Sequence, residues 1–313
     1  MTTEGLLAGA TDLAAASVRM ATPLAFAGLG EAWSERSGLL NIGLEAIMLC
    51  GAFAAFLVAG ATGDPWLGVA AGAAAGAVAS LLHAFVSITC RADQTVAGLA
   101  LNFLASGATS FAFLRAYGRT TQLPSCPVLP AVPVPLLSEI PVLGRVLFHQ
   151  SGLVYLLYGL LALSWLLLSR TEWGTRLDAV GEDPRAADSV GLPVDRLRYL
   201  AALANGLLGG VGGAFLTVAA LGFFMENVTS GRGYIALVVV ILGRRHPVGV
   251  ALAALMLGAA DALQFRVQTL GVEIPSQVFI MFPYVATVVV LLLTAGRASP
   301  PAALGLPFDR RAR

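Results

Sequence analysis

Nine apolar runs divide the chain, at about 11–30, 39–60, 65–89, 94–114, 151–169, 198–221, 233–243, 247–266 and 276–295. Most approach the ~20 residues that a helix needs to cross the hydrocarbon of a bilayer. None alternates polar and apolar residues as the strands of a membrane barrel do. The pattern predicts an all-α, polytopic membrane protein with about 8–10 transmembrane helices, forming a single domain over 1–313. The seventh run is short, and Gly243 and Pro247 separate it from the eighth. It reads as a half-helix or a tilted, broken span, which membranes tolerate only where protein or a cavity covers the loose backbone. Between runs four and five, Pro124, Pro127, Pro130, Pro133, Pro135 and Pro141 exclude a helix, because each proline removes a donor and clashes with the preceding turn. That stretch predicts an ordered external loop over 115–150. No Arg precedes Arg19, whereas a cleavable signal peptide opens on a positive region. The first run is therefore expected to stay as a span.

Composition strengthens this picture. Hydrophobic residues make up 57% of the 313 and charged residues 12%, against about 25% charged in an average soluble domain; mean hydropathy is +0.81. A soluble enzyme or a disordered chain does not have this profile. The 19 basic and 18 acidic residues leave no electrostatic footprint for nucleic acid, and every basic residue is Arg. Without Lys there is no GxxxxGK[ST] nucleotide loop. Cys50, Cys90 and Cys126 share no motif, and His83, His149 and His246 lie far apart, so neither a disulfide framework nor a metal site is expected. Nothing calls for a cofactor.

Arginine distribution predicts the orientation. With nine crossings and the N-terminus outside, Arg36, Arg91, Arg170, Arg176, Arg185, Arg196, Arg198, Arg244, Arg245, Arg297, Arg310, Arg311 and Arg313 are cytoplasmic. Arg115, Arg119, Arg145, Arg232 and Arg266 fall outside, and Arg19 lies within the first span. The chain also echoes itself: Leu67-Gly-Val-Ala70 opens the third run and Val248-Gly-Val-Ala251 the eighth. These would run in opposite directions, as in an inverted-topology repeat. Gly68, Gly72 and Gly76, with Gly206, Gly209, Gly210 and Gly213, are expected to let helix backbones approach closely.

Polar groups inside spans are the candidates for function, because burying them in hydrocarbon is costly. Asn41 and Glu45 share a helix face in the second span; Asn102, Asn205, and Asp261 with Gln264 lie in the fourth, sixth and eighth. Two roles stand open for them, a polar solute path or hydrogen bonding between helices. The depth of Glu45 favours the path; Asp261 has Arg266 or a helix end as a ready partner. In the cytoplasmic segment 170–197, Asp183 is a good N-cap, Pro184 suits the first helical position and Gly191 the stop. The expected product is a two-turn helix between flexible glycines. So short a helix gains little stability alone and makes more sense docked on another protein.

Longer motifs carry a resemblance. Gly174-Thr-Arg176 with Ala179-Val-Gly-Glu182-Asp-Pro-Arg185-Ala186-Ala187 resembles the coupling segment of ATP-binding-cassette permeases that import sugars, nucleosides and branched-chain amino acids. Glu35-Arg-Ser-Gly-Leu-Leu-Asn-Ile-Gly-Leu-Glu45-Ala-Ile-Met48 is similar to the signature of the nucleoside, or simple-sugar, branch. So are Arg91-Ala-Asp-Gln94, Glu226-Asn-Val-Thr-Ser-Gly-Arg-Gly-Tyr234 and Pro275-Ser-Gln277. Asp183 replaces a usual Asn and Ala46 a usual Gly. The resemblance implies a permease of the bacterial plasma membrane, not itself an enzyme. It also implies three partners: a second permease, a cytoplasmic ATPase and an extracytoplasmic solute-binding lipoprotein. Asn41, Glu45, Asn102 and Asn205 are the candidate path, and Glu182 to Ala187 with Gly191 the candidate coupling site. A proton-coupled secondary transporter using Glu45 or Asp261 is the alternative, and a membrane-embedded enzyme a weaker third.

Overall fold

The computed structural model describes residues 3–118, 124–269 and 300–309, together with Met281, Val285, Val288, Val289 and Leu292. The ninth apolar run and Pro275–Gln277 therefore lie largely or wholly outside the described residues. Among them, seven helices are long and apolar enough to cross a membrane. They lie in α1 (Thr3–Arg36), α2 (Leu44–Thr62), α3 (Pro65–Ala84), α4 (Gln94–Tyr117), α6 (Gly152–Arg170), α9 (Val194–Phe215) and α11 (Pro247–Thr269). Two of these, α3 and α9, end in π-helical turns, Phe85–Thr89 and Leu216–Leu221. The seventh run forms α10, Arg232–Leu242. At 1.5 Å per residue, those 11 residues reach only about 16 Å, half the hydrocarbon thickness.

The proline-rich stretch folds on its own small framework. Strands β1 (Ala131–Pro133) and β2 (His149–Ser151) pair antiparallel around the short α5 (Leu143–Leu147). Cys126 N donates to Gly222 O, and Leu129 N to Val218 O, so the stretch caps the end of α9.

Glycine sets the centre of the bundle. A Cβ on Gly76 would lie 2.4 Å from the Gly206 carbonyl, and one on Gly213 would overlap the Met48 carbonyl. Backbone meets backbone where α2, α3 and α9 cross, as small residues permit in lipid. Helix α1 runs through this core, with Leu24, Phe26 and Leu29 buried.

The second span starts later than hydropathy implies. Residues 37–43 are not helical, and Gly38 takes the left-handed φ of +83° that turns the chain after α1. The segment 170–197 is likewise more ordered than expected. Helix α7 (Glu172–Glu182) precedes the two-turn α8 (Pro184–Ser189), and two of the segment's glycines, Gly174 and Gly181, are helical residues of α7. Gly174 packs on the Leu168 carbonyl and Gly181 on that of Arg36, contacts that no larger residue allows.

The two ends of the bundle differ in charge. At one, Arg36 pairs with Asp178, Arg91 with Asp309 and Arg245 with Glu35. Residues 300–309 close this end: Ala303 N donates to Gly181 O, Gly305 N to Gly38 O, and Arg198 donates to Ser37 O and Leu306 O. Arg198 is thus buried inside this end, not solvated beyond it. The opening of α3 lies at the opposite end, where Trp66 packs on Gly152, while α11 opens beside Arg245. The echoed motifs accordingly stand at opposite ends of the bundle.

Candidate functional site

The unwound stretch between α1 and α2 explains most of the polar residues inside the spans. Backbone groups without a helix must find partners within the protein, and side chains of α1, α4 and the stretch itself supply them. Glu31 of α1, wholly buried, accepts from Asn41 N at 2.9 Å and from Asn205 Nδ2 at 2.6 Å. Gln94 Oε1 accepts from Leu40 N at 2.7 Å, and Asn41 Oδ1 from Gly43 N at 3.0 Å. Asn102 of α4 accepts from Ala46 N at 2.9 Å and donates to Ile42 O at 3.1 Å. Three carboxamide atoms of this cluster, Asn41 Nδ2, Gln94 Nε2 and Asn205 Oδ1, are buried with no hydrogen-bond partner.

Glu45 serves a second break in the helical ladder. Its carboxylate receives the Thr229 hydroxyl, Gly231 N at 2.8 Å and Gly233 N at 2.7 Å. Three donors at the start of α10 therefore converge on one anion, and the partial positive charge of a helix N-terminus favours that arrangement. The turn after α10 is held by another carboxylate, Glu35, through Arg245 Nη1 at 3.2 Å. Helix α10 is thus fixed at its start by α2 and just past its end by α1. Arg232 opens α10, about 15 Å of helix before its last residue, Leu242.

Of the candidate path residues, the structure brings Asn41 and Asn205 together on Glu31, while Glu45 and Asn102 meet α10. Asn41, Glu45 and Asn205 are buried. Asn102 is half-buried, and its Nδ2 also donates to the Tyr234 hydroxyl at 2.8 Å, where Tyr234 is 42% exposed. Beside it the loop entering α10 exposes Met225, Glu226, Asn227 and Ser230. Sequence reasoning missed Glu31 and the Glu35–Arg245 pair as interior partners. Their signal was two carboxylates four residues apart closing an apolar helix.

The candidate coupling residues lie together on one short helix and its two ends. Asp183 Oδ1 accepts from Arg185 N and Ala186 N, both at 3.0 Å, and Gly191 takes φ +86° to end the helix. Glu182 Oε2 accepts from Ala302 N. Arg185, Ala186 and Val190 face outward, Val190 with 77% of its surface exposed. Ala187 faces inward at 3%, against Leu177, Val180 and Leu197. Arg36 donates to Asp178 Oδ1 at 2.6 Å and to Leu168 O at 3.1 Å, tying α7 to the end of α1 next to Glu35.

Comparison with known proteins identifies the family. The family model described as branched-chain amino acid transport system / permease component matches residues 13–294. The chain is 39% identical to the guanosine ABC transporter permease NupQ of Bacillus subtilis, over 95% of this chain and 96% of that one. It is 40% identical to the nucleoside ABC transporter permease NupC of Lactococcus lactis, over 92% and 93%. Its fold is similar to that of a metal-chelate-type ABC transporter solved in an inward-facing conformation, with a TM-score of 0.50, 19% identity, and coverage of 90% and 85%. An ABC permease works in a complex with other subunits. The chain belongs to the branched-chain amino acid transport system / permease component family, as a multi-pass protein of the bacterial inner membrane.

Proposed function

We propose that this chain forms one wall of the solute path of an ATP-driven importer of nucleosides or simple sugars. The observation that carries this reading is α10, a half-helix clamped at both ends, with the half-exposed Asn102–Tyr234 pair at its start. The path runs over Asn102, Tyr234 and the exposed loop residues Asn227 and Ser230. Asn41, Glu45 and Asn205 hold the backbone that shapes it. Carboxamide, phenol and hydroxyl groups suit ribose hydroxyls and the edges of a base. The named substrates of the relatives, guanosine and nucleosides, support the same choice.

In this reading the arginine-rich end is cytoplasmic, and α8 docks on an ATPase subunit that binds and hydrolyses the ATP. A second permease completes the path, and an extracytoplasmic lipoprotein delivers the solute. ATP-driven movement of α8 passes through α7 and the Arg36–Asp178 pair to the end of α1, and from Glu35 through Arg245 to α10. Access then shifts between two states that ATP biases.

Uptake of labelled guanosine into vesicles holding ATP, with the proton gradient dissipated, tests the energy source. Undiminished accumulation is expected. Collapse of uptake with ATP still high would instead establish the proton-coupled alternative. Orientation is checked in a background without the three native cysteines. Glu139→Cys, at the exposed tip of the proline-rich stretch, should react in whole cells with an impermeant thiol reagent, and Ser189→Cys should not. Labelling of both from the same side overturns the assignment of ends.

A further inference from the structure

A cavity of about 230 Å³ opens between α1, the end of α9, the start of α10 and α11. Arg19 and Arg232 line it, with walls supplied by Met20, Leu216, Ala219 and Phe265. Arg19 is exposed, and among the described residues it has no carboxylate within ion-pairing distance. Arg232 bonds only weakly to the Thr229 carbonyl, at 3.4 Å, and shares the field of one buried acid, Asp261. Two guanidinium groups against one carboxylate leave a net positive charge at an otherwise apolar wall.

Depth decides what neutralises it. Arg19 precedes Arg36 by seventeen residues, about 26 Å of helix, close to the ~30 Å thickness of the hydrocarbon. Its side chain therefore lies just under the headgroup layer opposite the arginine-rich end, where a long cation extends to reach phosphate. An unpaired arginine at that level marks a site with a partner. A soluble anion offers nothing to the apolar walls, and a neutral nucleoside nothing to the charge. We infer that this cavity binds an anionic phospholipid, its phosphate on Arg19 and Arg232 and an acyl chain along Met20, Leu216, Ala219 and Phe265. Such a lipid bridges α1 to the start of α10, the element clamped by Glu45.

The test uses the transporter purified with its partner subunits, in nanodiscs of phosphatidylcholine alone or with one-third phosphatidylglycerol. Native mass spectrometry reads retained lipid, and thermal unfolding reads stabilisation. The wild type should retain phosphatidylglycerol and melt higher in its presence. Arg19→Gln, a change at an exposed position, should retain about fivefold less, the expected contribution of one basic residue to anionic-lipid binding. Ala219→Trp fills the apolar wall without changing charge and should lose retention too. Equal retention in both variants overturns the inference. So does displacement of the lipid by millimolar glycerol phosphate alone, which assigns the site to a soluble anion, or by guanosine, which assigns it to the solute path.

Discussion

Glu45→Leu is expected to deplete the membrane of folded permease, and not merely to slow uptake. The carboxylate takes three donors, the Thr229 hydroxyl and the amides of Gly231 and Gly233. A leucine leaves all three without this acceptor at a largely buried site. Each orphaned donor costs about 1–3 kcal/mol, so together they approach the ~5–15 kcal/mol that holds a typical domain folded. Glu45→Gln is the milder case. Its remaining oxygen can still accept from Thr229 and Gly231, while its amide opposes the Gly233 N–H, for a loss of about 1–3 kcal/mol. Thr229→Val removes a single donor and should fall between Gln and wild type. Membrane yield and thermal unfolding of the purified protein give the ranking directly. A Glu45→Leu protein that accumulates and melts like the wild type would show that α10 does not depend on this anion.

Charge placed on the outward edge of α8 should separate ATP hydrolysis from uptake. Ala186→Glu with Val190→Glu changes two exposed positions and nothing inside, so yield and melting should stay at wild-type values. Buried centres of interfaces carry single residues worth ~2 kcal/mol or more, so uptake should drop at least about thirtyfold while the ATPase still turns over. The neighbouring Ala187→Glu should fail for a different reason. It buries an unpaired charge against Leu177, Val180 and Leu197, a loss of about 3–5 kcal/mol, and the protein should not reach the membrane folded. This contrast between adjacent alanines distinguishes docking from folding. Wild-type uptake by the outward double variant would make α8 a plain connector.

Much of this architecture was legible in the chain because it rests on local chemistry. Long apolar runs mark long helices, and Asp183, Pro184 and Gly191 each do a job at a helix end that depends on nearest neighbours alone. The late start of α2 was not legible. Leu39, Leu40 and Ile42 are as apolar as any helical residue, and hydropathy does not register that Leu40 N donates to Gln94, Asn41 N to Glu31, and that Ile42 O accepts from Asn102. The inward turn of Ala187 was hidden as well, since a six-residue helix is too short to show a period. Gly174 and Gly181 looked like hinges because the carbonyls they pack against, from Leu168 and Arg36, are distant or unmarked in the sequence. At the candidate site the residue types were visible but their division of labour was not. Asn41 and Glu45 share a helix face in the sequence pattern, yet in the unwound turn the Asn41 side chain accepts from Gly43 N while Glu45 accepts from Thr229.

The stitching of residues 300–309 onto Gly38, Gly181, Arg198 and Arg91 bears on how the protein is made. Every contact joins positions translated far apart, so the arginine-rich end cannot close until synthesis has passed Asp309. A nascent chain can lodge its long helices one after another, but Arg198 and the peptide groups of Gly38 and Gly181 wait for these last partners. The end that carries α7 and α8 therefore closes only after residues 300–309 are made, although both helices lie in the middle of the message. A ribosome stalled before residue 300 would leave a bundle whose long helices can form but whose arginine-rich end stays open.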